Sequence, residues 1–468
     1  MRIGEDNLSR AALGILAVSA GITAATLLLP QDPQPPGALA PAALAAAIGL
    51  LAVPALSLGG HLSRLLATEN LLLAGIVYWL LLDPLQGLYP LLGATRGTIE
   101  VEFLAIGVFA SGLLLGACGK GLRPPRPVVR AAFSRLSESE LFIGAVVSFL
   151  LGMIYYASSS GFDPVTMAQG LALGRFSAPW SRGAFGGANA FLQQLSNFGF
   201  MIPSLTVLMA ARRGWLRPRV LIALVLAVIM TLFLAQAGGR RLLGVVVGSA
   251  ILAWVLARER PAGKVITGAL CAALLLVLAQ NAMLAYRDRG WNTFFHSGRE
   301  SASAGQNFIE IKSDDDFLQL ADVIELYPEV IPYAGPRPLF FYAVLPIPRF
   351  FWPGKPTSPG FDLAASEGLR GVTLSTTVIG ELYIVGGLPV VLLGGLCFGV
   401  AAGMWNRLLA YPATNGRAIT FGLGLMNLFV GLRSLQDVVT MSYPLLAWLL
   451  LAQALAARRR PQPLAARA

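Results

Sequence analysis

Apolar residues run along this chain in long stretches separated by short polar connections. They show neither the strict alternation of strands nor the one-sided stripe of soluble helices. Twelve stretches approach the roughly 20 apolar residues that cross a bilayer as a helix. They lie near 10–29, 38–58, 70–91, 101–119, 140–158, 190–211, 219–236, 242–257, 265–284, 378–402, 417–432 and 437–456. The pattern predicts an all-α polytopic membrane protein with about twelve transmembrane helices. Pro84 and Pro203 interrupt two of them, and kinks are expected there because proline removes a backbone donor. The first run extends to Leu29, long for the apolar core of a secretory signal, and reads as an uncleaved first span.

These stretches divide the chain into a transmembrane bundle at 1–284 (about nine spans), a large loop at 285–377, three more spans at 378–457 and a basic tail at 458–468. The loop opens Tyr286-Arg-Asp-Arg289-Gly-Trp and passes a Ser/Gly/Glu-rich stretch near 297–306. Phe317, Leu320, Ile324 and Tyr327 then share one helical face while Asp322, Glu325 and Glu329 fall elsewhere. That spacing predicts an amphipathic helix near 317–327, lying on the bundle or at the membrane surface. The proline-rich run from Pro328 to Pro359 reads as a rigid extended loop carrying Arg337, Arg349 and Lys355, with no regular helix. A smaller outer loop at 159–189 is rich in Gly, Ser and Pro, which mark turns. There Arg175 and Arg182 flank Trp180 as a candidate binding lip.

Charge turns this pattern into a topology. Only 13% of residues are charged, against about a quarter in soluble domains, so no large soluble domain is left. The net charge of +11 is unevenly spread. With the N-terminus inside, 21 of the 35 Lys and Arg residues fall in inward loops and tails, six in short outward loops and eight in the long loop. This positive-inside asymmetry predicts both termini in the cytoplasm and the long loop in the periplasm, with no nucleic-acid partner. Arg96, Arg175, Arg182, Arg240, Arg241 and Arg433 break the rule by sitting outside. One such arginine is an ordinary headgroup anchor. Six on the face of a large polar loop point to a shared anionic ligand.

No P-loop, dinucleotide glycine pattern or HExxH helix is present. Two histidines exclude a multi-histidine metal site, and Asp314-Asp315-Asp316 reads as a solvated turn. Cys118, Cys271 and Cys397 have no ligand spacing and read as buried apolar thiols. Gly238-Gly239-Arg240-Arg241 opens a span, where guanidinium forks and free backbone N–H groups favour phosphate. In Pro348-Arg349-Phe-Phe-Trp352-Pro-Gly-Lys355-Pro, prolines stiffen the backbone that carries two cations, and aromatics lie beside them for stacking on sugars. Gly380-Glu381-Leu-Tyr383 puts a carboxylate at the start of the tenth span, where it orients an arginine or acts as a base. Asp362 and His296 are the other candidate bases.

Taken together, Gly239-Arg240 at a span start, Ile347-Pro-Arg349…Trp352-Pro-Gly-Lys355-Pro late in the long loop, and Gly380-Glu-Leu-Tyr…Gly386-Gly387 resemble the bacterial oligosaccharide repeat-unit (O-antigen, Wzy-type) polymerases. The motifs occupy about 240–390, and the likeness in architecture extends throughout. The resemblance implies a metal-independent, cofactor-free glycosyltransferase of the bacterial inner membrane, active at its periplasmic face. It implies undecaprenyl-pyrophosphate-linked glycan as substrate and a chain-length-regulating co-polymerase as a further candidate partner. Arg349, Lys355, Arg240 and Arg241, supported by Arg175 and Arg433, would hold pyrophosphate, and Glu381, Asp362 or His296 would be the base. The alternatives are an O-antigen ligase-like glycosyltransferase, for which His296 is available, and a polysaccharide or lipid transporter. Against transport, no inverted repeat with broken helices is legible.

Overall fold

The computed structural model describes residues 3–56, 65–88, 91, 93–119, 122–174, 176–182, 188–258, 263–286, 311, 313, 315–349, 351–363 and 374–457. Every regular element among them is helical. In chain order these are α1 (Ile3–Leu27), α2 (Ala40–Leu56), α3 (Thr68–Gln86), α4 (Arg96–Cys118), α5 (Arg126–Ala132) and α6 (Glu138–Ser159). Next come α7 (Pro164–Ala172), α8 (Ala188–Leu195), α9 (Ile202–Arg213), α10 (Pro218–Gly238), α11 (Arg240–Leu256) and α12 (Gly263–Tyr286). The chain continues with α13 (Asp316–Leu326), α14 (Arg337–Val344), α15 (Thr377–Asn406), α16 (Asn415–Gly431), α17 (Leu435–Thr440) and α18 (Ser442–Ala457).

Among the described residues, nine helical stretches are long and apolar enough to cross a membrane, the make-up of a polytopic helical membrane protein. Three more of the expected spans are helices of 17 residues each: α2, α11 and α16. The interruptions sit just before the prolines. Residues Val77–Leu81 form a π-helical turn ahead of Pro84, and Ser196–Met201 form a 3-10 turn ahead of Pro203. A proline has no N–H to donate and its ring crowds the carbonyl one turn back, so the preceding turn must open or tighten.

Two expectations are corrected and one is extended. The proline-rich run contains a regular helix, α14, because Pro338 falls in its first turn, where a missing N–H costs nothing. The outer loop at 159–189 contains α7, started by Pro164 and capped by the Asp163 carboxylate, which accepts from the N–H groups of Val165 (3.1 Å) and Thr166 (3.0 Å). Cys271 and Cys397 face outward from their helices, and Cys118 is half-buried.

The chain forms two compact units. The first comprises Met1–Arg123, Ile309–Arg407 and Asn427–Thr440. Its spine is α4 against α15, brought together by Gly112 and Gly116 on one and Gly395, Gly399 and Gly403 on the other. A Cβ on Gly112 would sit 2.7 Å from the Leu392 carbonyl oxygen, and one on Gly403 would sit 2.9 Å from that of Ala117. Such backbone-to-backbone contact is how helices associate in lipid, where burying apolar side chains gains little. Helix α13 buries Phe317, Leu320 and Ile324 in this unit, and Tyr327, just past its end, is buried too. The Phe317 ring lies 5.7 Å from that of Phe103, and Glu325 accepts from the Thr98 hydroxyl at 3.1 Å.

Helix α15 is broken in its first half, a break not anticipated from the sequence. Gly386 and Gly387 leave helical geometry, and Gly387 has φ +70. Only glycine takes that conformation without strain, and a Cβ there would also meet the Tyr333 hydroxyl at 2.7 Å. The break frees the Ile384 carbonyl, which accepts the Ala334 N–H at 2.9 Å.

The second unit comprises Pro124–Phe308, Leu408–Met426 and Met441–Ala468. Helix α6 starts on a Ser137–Glu140 capping box. Near its other end Tyr156, Trp180 and Phe233 pack ring against ring, with centroids 5.0–5.3 Å apart. Trp180 is 4% exposed and its indole N–H donates to Gln236. It is therefore a core residue of this unit, which removes the aromatic part of the binding lip expected around it.

Candidate functional site

Two segments of the first unit cross at the start of α15, and four hydrogen bonds tie them. The Ser375 hydroxyl donates to the Arg433 carbonyl (2.8 Å), and the Val378 N–H donates to the Leu432 carbonyl (2.9 Å). The Ser434 hydroxyl and the Leu435 N–H each donate to the Glu381 carboxylate at 2.8 Å. The backbone on both sides of Arg433 is thereby fixed. The Arg433 guanidinium lies 3.4 Å from the Asp437 carboxylate one turn along. Its side chain keeps 19% of its surface open, whereas that of Asp437 keeps 1%.

A third donor closes the cage around Glu381. The hydroxyl of Tyr342, on α14, hydrogen-bonds to the same carboxylate. Burial, and then the neighbouring Glu381 charge, push the Tyr342 phenol well above its ordinary range, so it stays a donor at any physiological pH. Glu381 is 5% exposed. Enclosed by hydroxyl, N–H and phenol, it is built to hold the Arg433 turn and α14 in register. Thr377, four residues earlier, has φ +60, a strained conformation for a β-branched residue that the surrounding bonds impose.

The loop after α14 is closed by its own cations. Lys355 donates from Nζ to the carbonyls of Leu345 (2.8 Å) and Ile347 (2.9 Å), capping the C-terminal end of α14. Arg349 donates to the carbonyls of Lys355 (3.3 Å) and Pro356 (3.1 Å). Lys355 is buried, and burial together with the Arg349 charge holds its ammonium below the usual lysine range. The structure thus brings Arg349 and Lys355 together, as two staples of one loop, and joins that loop to Glu381 through Tyr342.

Asp362 is exposed near the end of the same loop region. Arg96 donates to the carbonyls of Leu29 (3.1 Å) and Thr26 (3.4 Å) at the end of α1 and pairs with Glu100 at 2.9 Å, a helix-end anchor. Arg240 and Arg241 belong to the second unit, in the first turn of α11, which follows Gly239 at φ +74. The Arg240 carbonyl accepts from Gln280 at 2.9 Å. Arg182 ends a 3-10 turn at Pro179–Arg182, and Arg175 and His296 fall outside the described residues. So does Asp314, and among the described residues no group of three or more His, Cys, Asp and Glu is placed to hold a metal ion.

Sequence reasoning missed Tyr342, Ser375, Ser434 and Asp437. For the last two a signal existed: Ser434-Leu-Gln-Asp437 has the spacing of a helix N-cap, and the Ser434 hydroxyl accepts the Gln436 N–H at 3.1 Å. Comparison with protein families, curated proteins and solved structures finds no match to the chain.

Proposed function

We propose that the chain is a glycosyltransferase of the bacterial inner membrane that polymerises undecaprenyl-pyrophosphate-linked oligosaccharide repeat units at the periplasmic face, making O-antigen or exopolysaccharide. The observation that carries this reading is the Arg433 turn, a cation on a backbone fixed by Ser375, Val378 and Glu381, joined through Tyr342 to the Arg349–Lys355 loop. A preorganised guanidinium suits a pyrophosphate leaving group, whose charge grows as the bond to it breaks. The topology proposed is twelve spans with both termini in the cytoplasm, counting α2, α11 and α16. At about 1.5 Å per residue these three are about 26 Å long, slightly less than a typical hydrocarbon core.

In the proposed reaction a hydroxyl of the non-reducing sugar on a new lipid-linked unit attacks the anomeric carbon of the growing chain. The new C–O bond forms as the bond from that carbon to the pyrophosphate oxygen breaks. Undecaprenyl pyrophosphate leaves with the electron pair, and the hydroxyl proton passes to a base. Glu381, already engaged by three donors, is assigned to positioning, which leaves Asp362 and His296 as candidate bases. Transport is a second reading with its own support. Glu102 on α4 is fully buried with no hydrogen-bond partner for either carboxylate oxygen among the described residues, and α15 is a broken helix, features that line transport routes.

Deleting the gene and complementing it with wild type, Arg433→Ala or Arg349→Ala tests the proposal, with surface and lipid-linked glycans resolved by gel and mass spectrometry. Single-repeat glycans, restored to ladders by wild type and not by Arg433→Ala, are the expected result. Ladders stranded on the lipid carrier would mean a ligase. Single repeats trapped on the cytoplasmic side would mean transport.

A further inference from the structure

Beyond Arg337, helix α14 carries only apolar and aromatic side chains. It buries Pro338, Phe341 and Tyr342 against the first unit and turns Leu339 (39% exposed) and Phe340 (51%) outward. The outward face continues through Ile347 (39%) and Phe351 (75%). A contiguous apolar face of this kind is not left to water in a stable protein.

What covers it follows from where it is pinned. Just upstream of α14, the Ala334 N–H and the Tyr333 side chain meet α15 at Ile384 and Gly387. Beyond that break, Leu388–Asn406 is 19 residues of helix, about 28 Å at 1.5 Å per residue, close to the ~30 Å thickness of a bilayer's hydrocarbon core. The break therefore sits at the edge of the hydrocarbon. Leu392 and Leu393, the first outward-facing leucines of α15, begin about 8 Å further in. The exposed Val330 and Tyr333 bring the loop's apolar surface to the margin of that lipid-facing surface. Arg337, exposed in the first turn of α14, adds a cation to this aromatic segment, the pairing found at headgroups.

We propose that α14 and its flanks, Val330 to Phe351, lie in the headgroup–acyl boundary of the membrane, with Leu339, Phe340, Ile347 and Phe351 in lipid. The segment is then a monotopic element rather than a loop in water. It places the Arg433 turn beside the lipid surface and does not depend on which reaction the protein carries out.

The test uses the full chain with its three native cysteines replaced, reconstituted in vesicles of phosphatidylethanolamine and phosphatidylglycerol. A nitroxide is placed on Phe340→Cys, Phe351→Cys or, as the polar control in the same region, Thr357→Cys. Leu339→Cys or Ile347→Cys substitutes for any variant that does not purify as wild type does. Collision rates with oxygen, which concentrates in lipid, and with a water-soluble nickel chelate are read by power saturation. At 340 and 351 oxygen is expected to exceed nickel several-fold, and at 357 the order reverses. Nickel dominating at 340 and 351 would put the segment in water and overturn the proposal. Protection from both probes would also overturn it, by showing a protein cover. Spin–spin broadening that disappears on dilution with unlabelled protein would identify that cover as a second copy.

Discussion

Glu381 accepts from Ser434, Leu435 and Tyr342 inside the protein, so truncating it strands three donors at once. Each buried donor left unpaired costs about 1–3 kcal/mol. Glu381→Ala is therefore expected to destabilise the first unit by at least about 3 kcal/mol, read as a lower midpoint in denaturing mixed-micelle titration. Tyr342→Phe removes one donor and leaves two, so a loss of about 1 kcal/mol is expected, with faster amide exchange over 337–356. If that segment exchanges at the wild-type rate, Tyr342 does not hold it. Glu381 and Arg433 were legible in the sequence because a charge at a span end is conspicuous. Tyr342 and Ser375 were not, since their partners stand 39 and 58 residues away and no spacing rule connects them. Arg349 and Lys355 stood out as a proline-fixed pair, but that the loop's own carbonyls would take up their donors is a matter of geometry that only folding defines.

At the scale of elements, the α4–α15 seam depends on residues without side chains. Gly399→Leu must push the helices apart, and a cost of about 1–3 kcal/mol or more is expected, with loss of monodisperse protein in detergent. Gly387→Ala meets both a φ of +70 and the Tyr333 hydroxyl, and is expected to cost over about 1 kcal/mol by the same titration. Helix α7 carries a pH signature. Hydrogen bonds from the Thr166 hydroxyl and the N–H groups of Thr166 and Val165 hold the Asp163 carboxyl below its ordinary range. A depressed carboxyl stabilises above its unfolded value of about 3.9 and loses that contribution as pH falls through the lower folded value. Exchange protection of α7 amides, corrected for intrinsic rate and compared with Asp163→Asn, is expected to be full at about pH 5 and reduced near pH 2. A flat comparison would remove Asp163 as the cap. Apolar run length made the long helices legible. The short helices α7 and α14 were hidden because Pro164 and Pro338 read as breakers when met outside a helix start, where they are favourable.

For the whole molecule, hydropathy identified a polytopic helical membrane protein, because roughly 20 apolar residues in a row have few other uses. It could not group the helices. The first unit is assembled from three separate stretches of chain, and that grouping depends on the glycine seam and on Arg433 returning beside Glu381. The proposed function rests on a few polar residues whose neighbours come from distant segments, so sequence motifs alone do not assign their roles. If the proposed transfer is right, Arg433→Ala lowers turnover about a hundred-fold while Arg433→Lys recovers only part, because an ammonium lacks the planar fork. The most direct measurement is made on purified protein in vesicles given undecaprenyl-pyrophosphate-linked repeat units, with products followed by mass spectrometry. Glycans of two and more repeats on the carrier, with free undecaprenyl pyrophosphate released one per bond formed and both abolished by Arg433→Ala, are predicted. Substrate that wild-type protein binds and leaves unjoined, or carries across the bilayer unchanged, would contradict the proposal.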